Sequence, residues 1–128
     1  MRVLGFVPAA DLPGLYRLAD VFATASEAEL QSLATMEAMA AGLPVVAADA
    51  CALGELVTHG RNGFLAVPGR GGQLAAYLDL LAGNPGLRAR MGAASLRAIS
   101  GHERDRSLAE WESLYGLLAG AGPAGQPR

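Results

Sequence analysis

The sequence predicts an α/β fold, a parallel sheet wrapped by helices, and three observations carry that expectation. Short apolar runs alternate with stretches of helical periodicity. The connections between them are short. The most central run, LPVVAAD (43–49), is apolar on both faces and β-branched in its middle, the pattern of a strand covered on two sides.

In chain order, VLGFV (3–7), bounded by Pro8, reads as a buried strand that ends in a loop. Asp11 is placed to cap a helix through DLPGLYRLA, with Leu12, Leu15, Tyr16 and Ala19 on one face. The strand DVFATA (20–25) follows, then the loop SEAELQ (26–31) and a helix over residues 32–41. Leu33, Met36, Met39 and Ala40 are its expected packing positions, and Gly42 is a natural stop. After LPVVAAD, a helical turn from Leu53 to Val57 leads into HGRNGFLAV (59–67), where Asn62-Gly63 is expected to supply the positive φ of a tight turn before the last strand. Helices over 71–83 and 86–98 are separated by Asn84-Pro85. A further amphipathic helix over 103–119 places Leu108, Trp111, Leu114, Tyr115 and Leu118 on one side. Residues 1–118 read as one domain and the Pro/Gly-rich stretch 119–128 as a disordered tail.

Composition narrows the function classes. A content of 52% hydrophobic and 17% charged residues in 128 is enough for a core. No uncharged apolar run reaches the ~18 residues of a membrane span, and the N-terminus has no signal-peptide pattern, so a cytoplasmic location is expected. All ten basic residues are arginine and none forms a dense run, which argues against nucleic acid as a partner. Cys51 stands alone, and His59 and His102 have no partner at metal or triad spacing, so no metal is expected.

In a parallel α/β sheet, ligands bind outside the C-terminal strand ends. That rule places the loop after Val7, the loop 26–32 and the loop after Asp49 on one edge. A helix beginning near Ser32 points the unpaired amides of Leu33, Ala34 and Thr35 toward that edge, an anion site built without side-chain cations. Residues 18–60 hold no arginine, so a phosphate bound there needs backbone donors or cations from elsewhere. Glu29 and Glu37 flank the site, and eight residues of continuous helix would span about 12 Å, the scale between two sugars joined by a diphosphate. The same spacing also suits a capping acid followed by a helical acid that favours the dipole.

The segment ELQSLATMEAMAAGLPVVA (29–47) resembles the E-x7-E signature, followed by EAMAxGxPVV, of the retaining family-4 glycosyltransferases of two-domain GT-B architecture. GFVPAADLPGLYRLADVFATAS (5–26), GELVTHGRNGFLAVPG (54–69) and LAGNPGLRARMGAAS (81–95) are similar to the family's flanking segments. The resemblance implies an α/β, Rossmann-like partial domain with C-terminal helices, the second half of the donor-binding domain. It implies transfer of a sugar from a nucleotide-diphosphate sugar, by a hexosyltransferase type of enzyme, with retention of configuration.

By the same resemblance, Glu29 contacts hydroxyls of the transferred sugar and is the catalytic candidate, while Glu37 binds the ribose. Gln31, Ser32, Leu33 and Ala34 match the phosphate-holding loop and helix start, and Ser32 occupies a position that is often glycine. Val7 matches a backbone contact to the base, and is equally well explained as a strand-end core residue. Asp49 and Glu55 read as structural. No cofactor and no metal are implied.

The acceptor domain, and the segment bearing the Arg and Lys that neutralise the leaving diphosphate, are absent from this sequence. A partner chain or the remainder of a larger enzyme is expected to supply them, and an acceptor at the membrane periphery is compatible with the family. The alternatives are a truncated, non-catalytic remnant or a nucleotide-binding or interaction module. Self-association through the apolar face of 103–119 is the accompanying expectation.

Overall fold

A computed structural model describes residues 2–102. The sheet grows from Val45–Ala48 (β2), whose four residues are all buried. It pairs in parallel with Phe22–Thr24 (β1) on one side, Val46 opposite Ala23, and with Gly63–Ala66 (β3) on the other, Val46 opposite Phe64. The order is therefore β1-β2-β3. Because side chains alternate along a strand, β2 divides its apolar residues between two faces. Val45 and Ala47 pack with Met39, Leu53, Leu56 and Val57, whereas Val46 packs with Phe64, Leu81 and Met91. Both faces are covered, which is why the run is apolar without interruption.

The helices are Leu12–Leu18 (α1), Leu33–Ala40 (α2), Ala52–Leu56 (α3), Gly71–Ala82 (α4) and Pro85–Ile99 (α5), with a 3₁₀ turn over Ser100–His102. The chain is thus an α/β, Rossmann-like arrangement of parallel strands and helices. The expected helix 103–119 and the tail 119–128 lie outside the described residues. Among those residues no helix is long and apolar enough to cross a membrane.

Gly42 ends α2 at φ 78, with its N–H on the Met39 carbonyl (3.0 Å) and the Leu43 N–H on that of Ala38 (3.1 Å). This is a Schellman closure, and it needs the left-handed residue that glycine supplies. The reversal aims the chain directly into β2. Asn84 caps α5 by accepting from the Leu87 N–H at 2.9 Å, with Pro85 at the first helical position.

Five expectations are corrected. VLGFV is not a strand: residues 3–7 pair with nothing among the described residues, Gly5 sits at φ 67 and interrupts the extended backbone, and Val3 and Phe6 are 79% and 91% exposed. Apolar content there satisfies the pattern, but an extended run without a hydrogen-bonding neighbour does not make sheet. On α2, Met39 is buried and Met36 packs against the same cluster as expected, but Leu33 and Ala40 are exposed and Thr35 and Ala38 are buried in their place, because the side of the helix that meets the sheet is turned partly away from the one assumed. Ala19, expected on the packed face of α1, is exposed beyond the helix end, and Asp11 occupies the N-cap position of α1 without a side-chain cap bond.

The turn before β3 takes its positive φ at Gly60 (79°), not at Asn62-Gly63. Gly63 is glycine for another reason, since a Cβ there would collide with the Val45 carbonyl across the sheet. Asn62 is 2% exposed, and its amide accepts from the Thr58 N–H (2.7 Å) and donates to the Leu56 carbonyl (3.0 Å), folding the turn around one side chain.

Candidate functional site

The C-terminal ends of the three strands are Thr24, Ala48 and Ala66, and the loops after β1 and β2 meet there. The Ala52 N–H donates to the Glu29 carbonyl (3.1 Å), and the Cys51 thiol to that of Glu27 (3.5 Å). These bonds hold the glutamate-bearing loop against the sheet edge. Glu29 is half-buried, whereas Glu27, Leu30 and Gln31 are exposed.

Ser32 opens α2 in the left-handed conformation, φ 45 and ψ 63, and is buried. Its Oγ lies 2.7 Å from Thr35 Oγ1, so the hydroxyl is turned inward and caps no amide. The first bond of the helix runs from the Met36 N–H to the Ser32 carbonyl at 3.1 Å. The amides of Leu33, Ala34 and Thr35 therefore have no acceptor among the described residues. Leu33 and Ala34 are exposed, so these donors begin an accessible turn at the positive end of the helix dipole. No side chain of the described residues occupies them, which is what an anion site requires.

Glu37, one turn further along α2, accepts at Oε2 from the Tyr16 hydroxyl of α1 at 3.0 Å. The two lie in a cavity of about 330 Å³ between α1 and α2, lined also by Leu12, Pro13, Arg17 and Ala40. The phenol of Tyr16 is pushed above the ordinary tyrosine value by burial, then by the hydrogen bond to Glu37, then by the charge of that carboxylate. A second cavity, about 140 Å³, opens where the strands end and is lined by Ala25, Ala48, Ala66, Glu27 and Arg70.

The structure thus brings Glu29, Ser32, Leu33 and Ala34 to one edge, and places Glu37 on the same helix facing α1. Gln31 is on the loop between them. Val7 stands apart: it is half-buried and lines a different cavity, about 480 Å³, with Leu4, Phe6, Leu15 and Leu18. Asp49 pairs its N–H with the Ala66 carbonyl at 2.8 Å, in keeping with a strand-end role.

Tyr16, Arg17 and Arg70 were not singled out from sequence. Tyr16 carried a signal, its place on the inward face of α1, but its acceptor is 21 residues away. Arg70 carried none. His59 is structural, its Nδ1 accepting from the Leu65 N–H (3.0 Å) and its ring edge-on to Phe64 and Tyr77. Among the described residues no group of three or more His, Cys, Asp or Glu is arranged to hold a metal ion.

Comparison with known proteins supplies the remaining observations. Residues 1–97 match the family described as glycosyl transferases group 1. The chain is 38% identical over 117 residues to a D-inositol 3-phosphate glycosyltransferase of Salinispora arenicola, covering 88% of this chain and 25% of that protein. Among solved structures, an Anabaena protein, HepE, in complex with UDP-glucose is 33% identical, with a TM-score of 0.74 over 91% of this chain and 31% of that one. Sucrose-phosphate synthase from Thermosynechococcus elongatus superposes with a TM-score of 0.86 at 24% identity, over 93% of this chain and 30% of that one, a likeness of fold. The chain spans between a quarter and a third of the length of these relatives.

Proposed function

The chain belongs to the glycosyl transferases group 1 family, and from that premise we propose that it forms part of the donor site of a retaining, hexosyltransferase-type enzyme of the family-4, GT-B kind. The donor is a nucleotide-diphosphate sugar. Residues 1–118 belong to the donor-binding domain, and the acceptor domain comes from the rest of a larger enzyme or from a partner chain. The activity belongs in the cytoplasm, and its acceptor is either free or presented at the periphery of a membrane.

One observation carries the reading: three amides at the start of α2 have no acceptor among the described residues and stand between the loop of Glu29 and the side chain of Glu37. The distal phosphate is met by the backbone from Gln31 to Ala34, where free N–H groups and the helix dipole favour negative charge. A carboxylate accepts from paired hydroxyls, so Glu37 takes the ribose diol and Glu29 the hydroxyls of the transferred sugar. Val7 takes its part at the base through its backbone. The fixed N–H donors and the helix dipole stabilise the negative charge that develops as the diphosphate departs, with cations from the remaining protein completing the site, while the carboxylates orient the hydroxyls. The reading calls for no metal and no resident cofactor. The Anabaena neighbour in complex with UDP-glucose supports the donor class.

Titration calorimetry of the purified chain with UDP, GDP and ADP tests it, beside a Glu37→Ala variant. Preference for one nucleotide, weakened about tenfold or more in the variant, is the expected result. No detectable heat from a chain that unfolds cooperatively would overturn the reading for this chain.

A further inference from the structure

We propose that Tyr16 is a positioning residue for Glu37: its phenolic O–H occupies Oε2 of the carboxylate and fixes the other oxygen, Oε1, as the acceptor offered to the ribose hydroxyls. The inference rests on the donor-site reading above and names a residue that neither the sequence motif nor the comparisons assign.

Glu37 is exposed on α2, and a free glutamate side chain samples many rotamers. Ordering it on ligand binding would offset part of the hydrogen-bond gain. Among the described residues Glu37 makes no ion pair, although Arg17 lines the same cavity, and the Tyr16 hydroxyl is its side-chain partner at 3.0 Å. Tyr16 is suited to the task because its own position is set independently. It lies on the inward side of α1, its ring is half-buried, and it packs against Phe22 of β1 with centroids 6.3 Å apart at 55°. A phenol has few torsions to restrain, so a ring held by α1 and β1 presents its hydroxyl at a defined point. The strand therefore sets the ring, the ring sets the carboxylate, and one carboxylate oxygen is left free. A hydrogen bond from a neutral donor to a carboxylate also leaves the charge in place, so the free oxygen remains a strong acceptor.

The test compares Tyr16→Phe, which keeps the ring and removes only the hydroxyl, with the unaltered chain. The probes are UDP, GDP and ADP, their 2′,3′-dideoxy counterparts, and inorganic diphosphate. The inference expects the preferred ribonucleotide to bind about 3- to 10-fold more weakly to the variant, with the matching dideoxynucleotide and inorganic diphosphate unaffected. A variant that binds the ribonucleotide as tightly as the unaltered chain does would overturn the role of Tyr16 and leave the donor reading standing. Equal weakening of every probe would overturn it in favour of a general packing role, and a thermal melt of the variant would show the accompanying loss of stability. An unaltered chain that binds none of the probes would overturn both readings, an outcome separable from the other two because it appears before any substitution is made.

Discussion

Ser32 shows at the scale of one residue how a site and a strain coincide. An L-residue at φ 45 and ψ 63 is uncommon, and here a buried hydroxyl pair, Ser32 Oγ to Thr35 Oγ1 at 2.7 Å, holds it. Glycine at this position would relieve the left-handed strain and forfeit the hydroxyl contact, two effects of about 1 kcal/mol and opposite sign. Ser32→Gly should therefore leave the thermal midpoint nearly unchanged, while Ser32→Val should destabilise by about 2 kcal/mol or more, since a β-branched residue resists this conformation and strands the Thr35 hydroxyl. A valine variant that melts with the unaltered chain would refute the account. Tyr16 adds a pH signature. Its folded-state pKa is raised, so the folded chain holds that proton more tightly than the unfolded one; the associated stability is complete below the unfolded value and is lost as pH rises through the folded one. The unaltered chain should thus lose stability above about pH 10, and Tyr16→Phe should lose less of it over that range. Urea midpoints measured across the alkaline range check this, and parallel curves for the two proteins would exclude it.

At the scale of elements, α2 separates what sequence could give from what it could not. The E-x7-E spacing, the start near Ser32 and the stop at Gly42 were legible because each is a local signal, of charge, cap or turn. Which side of the helix meets the sheet was not, because alanine and methionine line most of α2 and leave its apolar stripe ill-defined. The structure buries Met39 fully and leaves Leu33 62% exposed. Met39→Ala should accordingly cost about 2–5 kcal/mol in a denaturant titration, and Leu33→Ala less than about 0.5 kcal/mol. Equal costs would mean that the helix is rotated from its described position. The same reasoning explains the other elements. LPVVAAD is legible as a strand because burial on both faces leaves a single pattern, whereas VLGFV shares that composition but has no neighbour to pair with among the described residues. The Tyr16–Glu37 contact was illegible because it joins two helices that β1 separates in the chain, and no periodicity reports that. The loop at Asn62 was misassigned in detail for a related reason: an Asn-Gly pair signals a turn, but here the asparagine is drawn inside to satisfy backbone groups, and the glycine is required by the close approach of β2.

At the scale of the whole molecule, the sheet is covered on both faces, yet among the described residues β1 ends it on one side and the residues ahead of α1 remain open. Val3, Leu4 and Phe6 are exposed, and Leu18 at the end of α1 is 84% exposed. Several of these side chains, with Val7 and Leu15, line one broad open cavity, so the exposure is a contiguous surface and not scattered single residues. Apolar surface of that kind is removed from water when two copies meet, at roughly 25 cal/mol per Å² before the cost of association is deducted. The isolated chain should therefore self-associate, with a mass by light scattering that rises with concentration. Phe6→Asp combined with Leu18→Glu places charge on the same surface, and the pair should return the mass to that of a monomer without lowering the thermal midpoint, because neither side chain contributes to the core. A constant monomeric mass for the unaltered chain would sink the idea. An associated species that the double variant leaves intact would move the contact elsewhere on the molecule.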